Sequence, residues 1–168
     1  MPTLIDRTGP RADDWILAAD PQAEVPDGAR VLLPLARWQA EGAQWRTRAA
    51  ALGVLLGPAD DPAQLAPDLG ALALVAVDFP SFTDGRGYSI ARLLRERHGW
   101  RGELRAVGEV LRDQLFYLAR CGFDTFALAD GEDAQAALAG FSDFSDAYQG
   151  GTDRPPLFAR RAAAGAPA

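Results

Sequence analysis

An α/β fold, with a mostly parallel sheet and crossover helices, is what this sequence predicts, on three observations. Five apolar runs have strand length and composition: Arg30–Leu33, Gly53–Leu56, Leu72–Val77, Glu103–Val107 and Thr125–Ala129. Each is followed by a helical or turn-like stretch, the alternation that parallel strands need for their crossovers. The third run, LALVAV, is apolar throughout, as expected of a strand covered on both faces.

The connecting elements follow in order. The first 29 residues place Trp15-Ile16-Leu17 between acidic turns and are expected to form an edge strand or a clasp. Leu35–Leu52 reads as a helix carrying Trp38 and Trp45. Pro62–Leu69 reads as a short helix entered through proline and interrupted by Pro67. Gly87–His98 and Glu109–Cys121 read as helices ended by Gly99 and Gly122, the residue type that a left-handed cap favours. Asp133–Ala139 is a last, alanine-rich helix. Residues 30–148 are expected to be one domain, and residues 149–168, rich in Gly, Pro and Ala, a loose tail. Five such units are too few for a complete eight-stranded barrel. An open doubly wound sheet is expected, with a barrel-like fragment completed by dimerisation as the alternative.

Composition closes several chemistries. All 17 basic residues are Arg, so a Schiff-base lysine, a pyridoxal phosphate anchor and a P-loop lysine are excluded. One His and one Cys cannot build a zinc site of the usual nitrogen and sulfur type, an iron–sulfur cluster or an internal disulfide. No nicotinamide or flavin fingerprint is present, and no cofactor is expected. With no membrane-length apolar stretch, no signal peptide and this cysteine usage, a cytoplasmic location is expected. The net charge of −6 argues against general nucleic-acid binding, yet residues 84–120 hold 8 Arg against 5 acids. That local excess suits a small anion or an acidic protein partner.

Ligands in parallel sheets bind beyond the carboxyl ends of the strands. The richest such loop runs from Asp78 to Tyr88 (DFPSFTDGRGY). Gly85 and Gly87 would bring backbone amides close to a ligand, the following helix would aim its N–H groups at it, and Arg86 would supply a planar double donor. The plain alternative is a capped helix start and a turn. Arg92 shares a helix face with Arg95, whose expected place is the surface, and lies nearer the loop. Arg105 sits inside a strand on the same face as Glu103, so either that strand lies at a sheet edge or Arg105 reaches a carboxylate such as Asp78 or Asp113. Arg112 and Asp113 open the next helix beside the strand ends. His98 at a helix end is a dipole-favoured cation, and Cys121 is packing.

The stretch from Phe82 to Phe126 resembles the core of a bacterial domain-of-unknown-function family. Members are commonly encoded beside assimilatory sulfite reductase and are loosely labelled as probable oxidoreductases of sulfite reduction. The pattern matches at Phe82, Asp84 to Tyr88, Arg92, Leu93, Arg95, Gly102, Glu103, Arg105 and Gly108. It continues at Leu111 to Gln114, Arg120, Gly122 and Phe123. The similarity is strong over about 79–128 and extends over about 30–148. The resemblance implies a role near sulfur assimilation and carries over no catalytic residue.

Three functions are therefore expected to compete. The first is an accessory protein of sulfite reduction, binding a small oxyanion or a reductase component through Arg86, Arg105 and Arg112. The second is a small acid–base enzyme on an anionic metabolite, with Asp84 or Asp78 as base, Tyr88 as acid and the arginines as clamp. The third is a structural homodimer burying Trp38, Trp45 or Trp100.

Overall fold

The apolar run in the middle of the chain becomes the middle of a sheet. In the computed structural model, which describes residues 3–22, 24–142 and 151–152, the early strands are β1 (Leu4–Asp6), β2 (Gly9–Pro10), β3 (Trp15–Leu17) and β4 (Arg30–Pro34). They are followed by β5 (Ala51–Leu56), β6 (Leu74–Phe79), β7 (Glu103–Gly108) and β8 (Thr125–Ala127). All eight form one sheet in the order β2-β1-β8-β7-β6-β5-β4-β3. β3 to β8 run parallel, while β1 is antiparallel to both β2 and β8.

Each parallel strand pairs with its neighbour in sequence, and the order never reverses. A doubly wound sheet needs such a reversal, so the expected open doubly wound sheet is not the arrangement found and the sheet is barrel-like. Right-handed crossovers that always step the same way place the helices on one face. The other face curls inward. β2 and β3 occupy opposite edges yet are joined by Arg11–Asp14 alone. Edges of a flat eight-stranded sheet would lie roughly 33 Å apart, whereas five extended chain steps span at most about 18 Å. The short linker therefore requires the curl, and the sheet is a half-barrel.

The helices are α1 (Leu35–Trp45), α2 (Arg86–Arg92), α3 (Leu115–Cys121) and α4 (Ala134–Ala137). α2 continues as a π-helical turn, Leu93–Arg97, and a 3-10 turn, Arg112–Gln114, leads into α3. They cover the convex face, where Val75, Val77, Phe79, Leu104 and Phe126 meet Trp38, Ile90, Leu94, Leu115 and Leu118. On the concave face Leu32, Leu74 and Ala76 pack with Trp15, Leu55 and Val107. β6 is thus buried on both faces from Leu74 to Val77.

Several boundaries differ from expectation. α1 stops at Trp45 rather than Leu52, because Ala50 N donates to Ala29 O (3.1 Å) and turns the chain into β5. The helix expected from Glu109 begins at Leu115, because Glu109 N donates to Phe79 O (2.7 Å) and Leu111 N to Gln114 Oε1 (2.9 Å). Pro62–Leu69 resolves into two 3-10 turns, Pro62–Leu65 and Leu69–Ala71. Gly99 (φ +67°) and Gly122 (φ +105°) take the left-handed conformation expected of them. The first 29 residues supply strands at both sheet edges. The expected loose tail lies outside the described residues, apart from Gly151 and Thr152; Thr152 N and Oγ1 donate to Arg120 O (2.8 and 3.0 Å).

Candidate functional site

Arg105 points to the concave face, as its strand period with Glu103 predicts, and only 5% of its side chain is exposed. A buried guanidinium must find acceptors. Nε and Nη2 donate to Glu103 Oε1 (3.1 and 2.9 Å), and Nη1 donates to Asp13 Oδ1 (2.9 Å). Glu103 Oε1 also accepts from Thr125 Oγ1 (2.7 Å). The expected partners Asp78 and Asp113 are not the ones found. Asp13 comes instead from the linker that crosses the curled sheet, a contact that no strand-by-strand reading of the sequence contains.

A hollow of about 340 Å³ opens beside this cluster. Among the described residues Trp15, Leu17, Leu32, Leu55, Val107, Ala127 and Ala129 give it an apolar wall, with Asp13, Arg105 and Asp130 as its charged groups. Gly108 completes the wall where β7 ends. Its φ of +94° belongs to the left-handed region, and a Cβ there would sit 2.4 Å from Phe79 O and 2.7 Å from Asp78 Oδ1.

The loop after β6 is organised around its own charges. Arg86 Nε and Nη2 donate to Asp84 Oδ1 and Oδ2 (3.0 and 2.6 Å), and Arg86 N donates to Asp84 Oδ1 (3.1 Å). The hydrogen bonds from Arg86 hold the Asp84 carboxyl down at about 2. The anion at the start of α2 is therefore Asp84 itself, and such a low value leaves it a weak base. Gly87 serves packing: a Cβ there would fall 2.5 Å from the Phe79 ring. The Tyr88 ring packs at a tilt against Phe79 and Tyr117, with ring centroids 5.3 and 4.9 Å apart. Its hydroxyl accepts from Gln114 Nε2 (3.2 Å), which also donates to Phe82 O (3.1 Å). Burial pushes the Tyr88 phenol up. Asp78 lies two residues beyond Ala76 and so shares the concave face. Burial, then the Asp84 charge, raises its pKa.

The remaining predicted residues scatter. Arg92 pairs with Glu96 one helical turn on (3.0 Å). Arg112 Nη1 lies 3.5 Å from Asp113 Oδ1, and its backbone N donates to Glu132 Oε2 (3.2 Å). Arg86 and Arg112 are not among the residues that line the hollow, so the predicted arginines do not converge there. Arg95, expected at the surface, is turned inward with 12% of its side chain exposed. It donates to Gly122 O, Trp100 O, Gly102 O and Asp124 Oδ2. Cys121 is buried, which raises its thiol pKa, in keeping with a packing role. Trp38, Trp45 and Trp100 lie inside the chain's own core and are not exposed for a homodimer to bury. Among the described residues no group of three or more His, Cys, Asp or Glu is placed to hold a metal, and no helix is long and apolar enough to cross a membrane.

Fold and site together define a mostly parallel α/β half-barrel whose concave face carries a charge-paired hollow. The sequence profile of a family described as bacterial protein of unknown function (DUF934) matches residues 53–158, and the chain belongs to that family. The match spans every predicted site residue from Asp78 to Asp113. No curated protein matches the chain.

Proposed function

We propose that this protein is an accessory component of assimilatory sulfite reduction that docks a reductase component through the outer surface of α2 and α3. The supporting observation is an exposed aromatic and arginine patch. Phe82 (54%) and Tyr117 (48%) are exposed, and Gln114 and Tyr88 tie the Phe82 loop to the Tyr117 ring. Arg86 and Arg92, both on α2, are exposed, each in a surface pair with a carboxylate. Such pairs contribute little in water, so a partner's acidic groups exchange for them at small cost. Aromatic and arginine anchors are the side chains that dominate protein interfaces. The sulfite side of the proposal rests on the family resemblance. Direct oxyanion binding is the weaker form, since Arg86 and Arg112 do not line the hollow that Arg105 lines.

Capture of sulfite reductase components on the immobilised protein tests the reading, at low and high salt, with wild type and Phe82→Ser/Tyr117→Ser. Salt-sensitive binding lost in the double variant supports it. Failure to bind at low salt overturns it. Calorimetry with sulfite, sulfate and phosphate, run alongside, decides the oxyanion form.

Asp78 supports a second reading, an acid–base enzyme. Its raised pKa at the carboxyl end of the central strand is the environment that a general base needs. Carbon-detected NMR titration of this carboxyl would remove that reading if it ionised at the ordinary value.

A further inference from the structure

The concave face carries a site that docking on the convex side leaves unused. We propose that the hollow beside Arg105 binds a small uncharged molecule with an apolar body and a hydrogen-bond-accepting oxygen, the oxygen being taken by Arg105.

Shape comes first. A hollow of about 340 Å³ is large enough for a small metabolite, and its wall of Leu17, Leu32, Leu55 and Val107 offers an apolar bed. It reaches Gly108 and Asp130, at and beyond the carboxyl ends of the strands, the end at which barrel folds present their ligands.

Hydrogen bonding comes second. A guanidinium has five N–H donors, and three of those on Arg105 are used, one to Asp13 and two to Glu103. The other two, one on each terminal nitrogen, have no acceptor among the described residues, although the side chain is 95% buried and lines the hollow. Buried donors of this kind are normally satisfied, so an acceptor belongs here.

Charge then selects the acceptor. Among the described residues one guanidinium faces two carboxylates, Glu103 and Asp13. An anion entering the hollow would meet excess negative charge in a poorly solvated place. A cation whose polar atoms are all donors would leave the Arg105 N–H groups unanswered. A neutral carbonyl or similar oxygen satisfies both conditions.

Three probes of one shape separate these cases: benzamide, benzoate and benzamidine, each titrated into the full chain while backbone amide resonances are followed. Benzamide is expected to move Val107, Gly108 and Ala129 saturably, with benzoate and benzamidine weaker by about tenfold or more. Leu55→Phe, which fills the hollow from a partly buried position, is expected to abolish the benzamide response. The proposal is overturned if benzamide moves none of these resonances or if benzoate binds as tightly. It is equally overturned if the folded Leu55→Phe protein responds as wild type does. The wild-type titrations decide the matter even if that variant does not fold.

Discussion

Arg105 and Asp13 stand 92 residues apart and meet at 2.9 Å, tying the linker between the sheet edges to the middle of β7. The two ends of this contact differ in burial, with 5% of the Arg105 side chain exposed against 43% of Asp13. Their removal should therefore differ in cost. Arg105→Ala leaves the half-buried Glu103 without a counter-charge and is expected to lose about 3 kcal/mol in urea unfolding. Asp13→Ala leaves Arg105 with Glu103 and should lose about 1 kcal/mol. Equal losses from the two would show that the linker contact, not the buried charge, dominates.

Gly108 is required by its backbone. Its φ of +94° disfavours any side chain, and a Cβ would lie 2.4 Å from a carbonyl oxygen of the paired strand β6. Backbone in a sheet centre cannot swing away as a flexible side-chain end does. Gly108→Ala is expected to cost about 3 kcal/mol, measured by denaturant midpoint at unchanged slope. A loss below about 1 kcal/mol would mean that the strand end yields locally.

Arg95 gathers carbonyls from the turns after α2 and α3 together with Asp124, whose carboxylate also accepts from Leu104 N (2.8 Å). The fork shape matters as much as the charge, because an ammonium group cannot reach acceptors spread across a plane. Arg95→Ala is expected to cost about 3 kcal/mol, and Arg95→Lys to recover less than half of that. Full recovery by lysine in thermal unfolding would reduce Arg95 to a point charge.

What the sequence made legible was the local order. The five predicted strands, their alternation with helices, and the closing glycines Gly99 and Gly122 follow from periods and caps that each segment carries by itself. The shared face of Arg105 and Glu103 follows from the two-residue period of one strand, but their pairing does not, since the sequence points to Asp78 or Asp113 as the partner. Contacts set by the curl were not legible. Asp13 reaches Arg105 only because four linker residues close the sheet, and the concave wall draws on β3, β4, β5, β7 and β8 together. The signal that was available is the acidic pair Asp13-Asp14 just before an apolar triplet, in a chain with an arginine stranded inside a strand. The inward turn of Arg95 is hidden from the sequence for a related reason. Its helical spacing from Arg92 suggests a solvated face, but its acceptors are carbonyls that turns bring together. Asp84 and Arg86 neutralise each other within three residues, so a loop that looked ready for an anion already contains one.

Two carboxyls of the same loop should move stability in opposite directions with pH. Asp84 sits at about 2 in the folded chain against an ordinary 3.8, so its unfolded form binds its proton first as pH falls. Its contribution is complete above about pH 4 and is lost as pH drops from there toward 2. Asp78 is displaced upward, chiefly by burial, so the folded chain holds that proton longer. Its contribution is favourable in acid and disappears as pH rises through the raised value. Asp78→Asn removes a carboxylate that ionises in an unfavourable place, and should raise the unfolding temperature near neutrality but not near pH 3, where the wild-type carboxyl is already protonated. Asp84→Asn should lower it near neutrality, by freeing Arg86 and the start of α2, with the difference shrinking in acid. Unfolding temperatures of the two variants across pH 2 to 7 give the crossing pattern directly. Parallel curves would mean that neither carboxyl feels the surroundings described here.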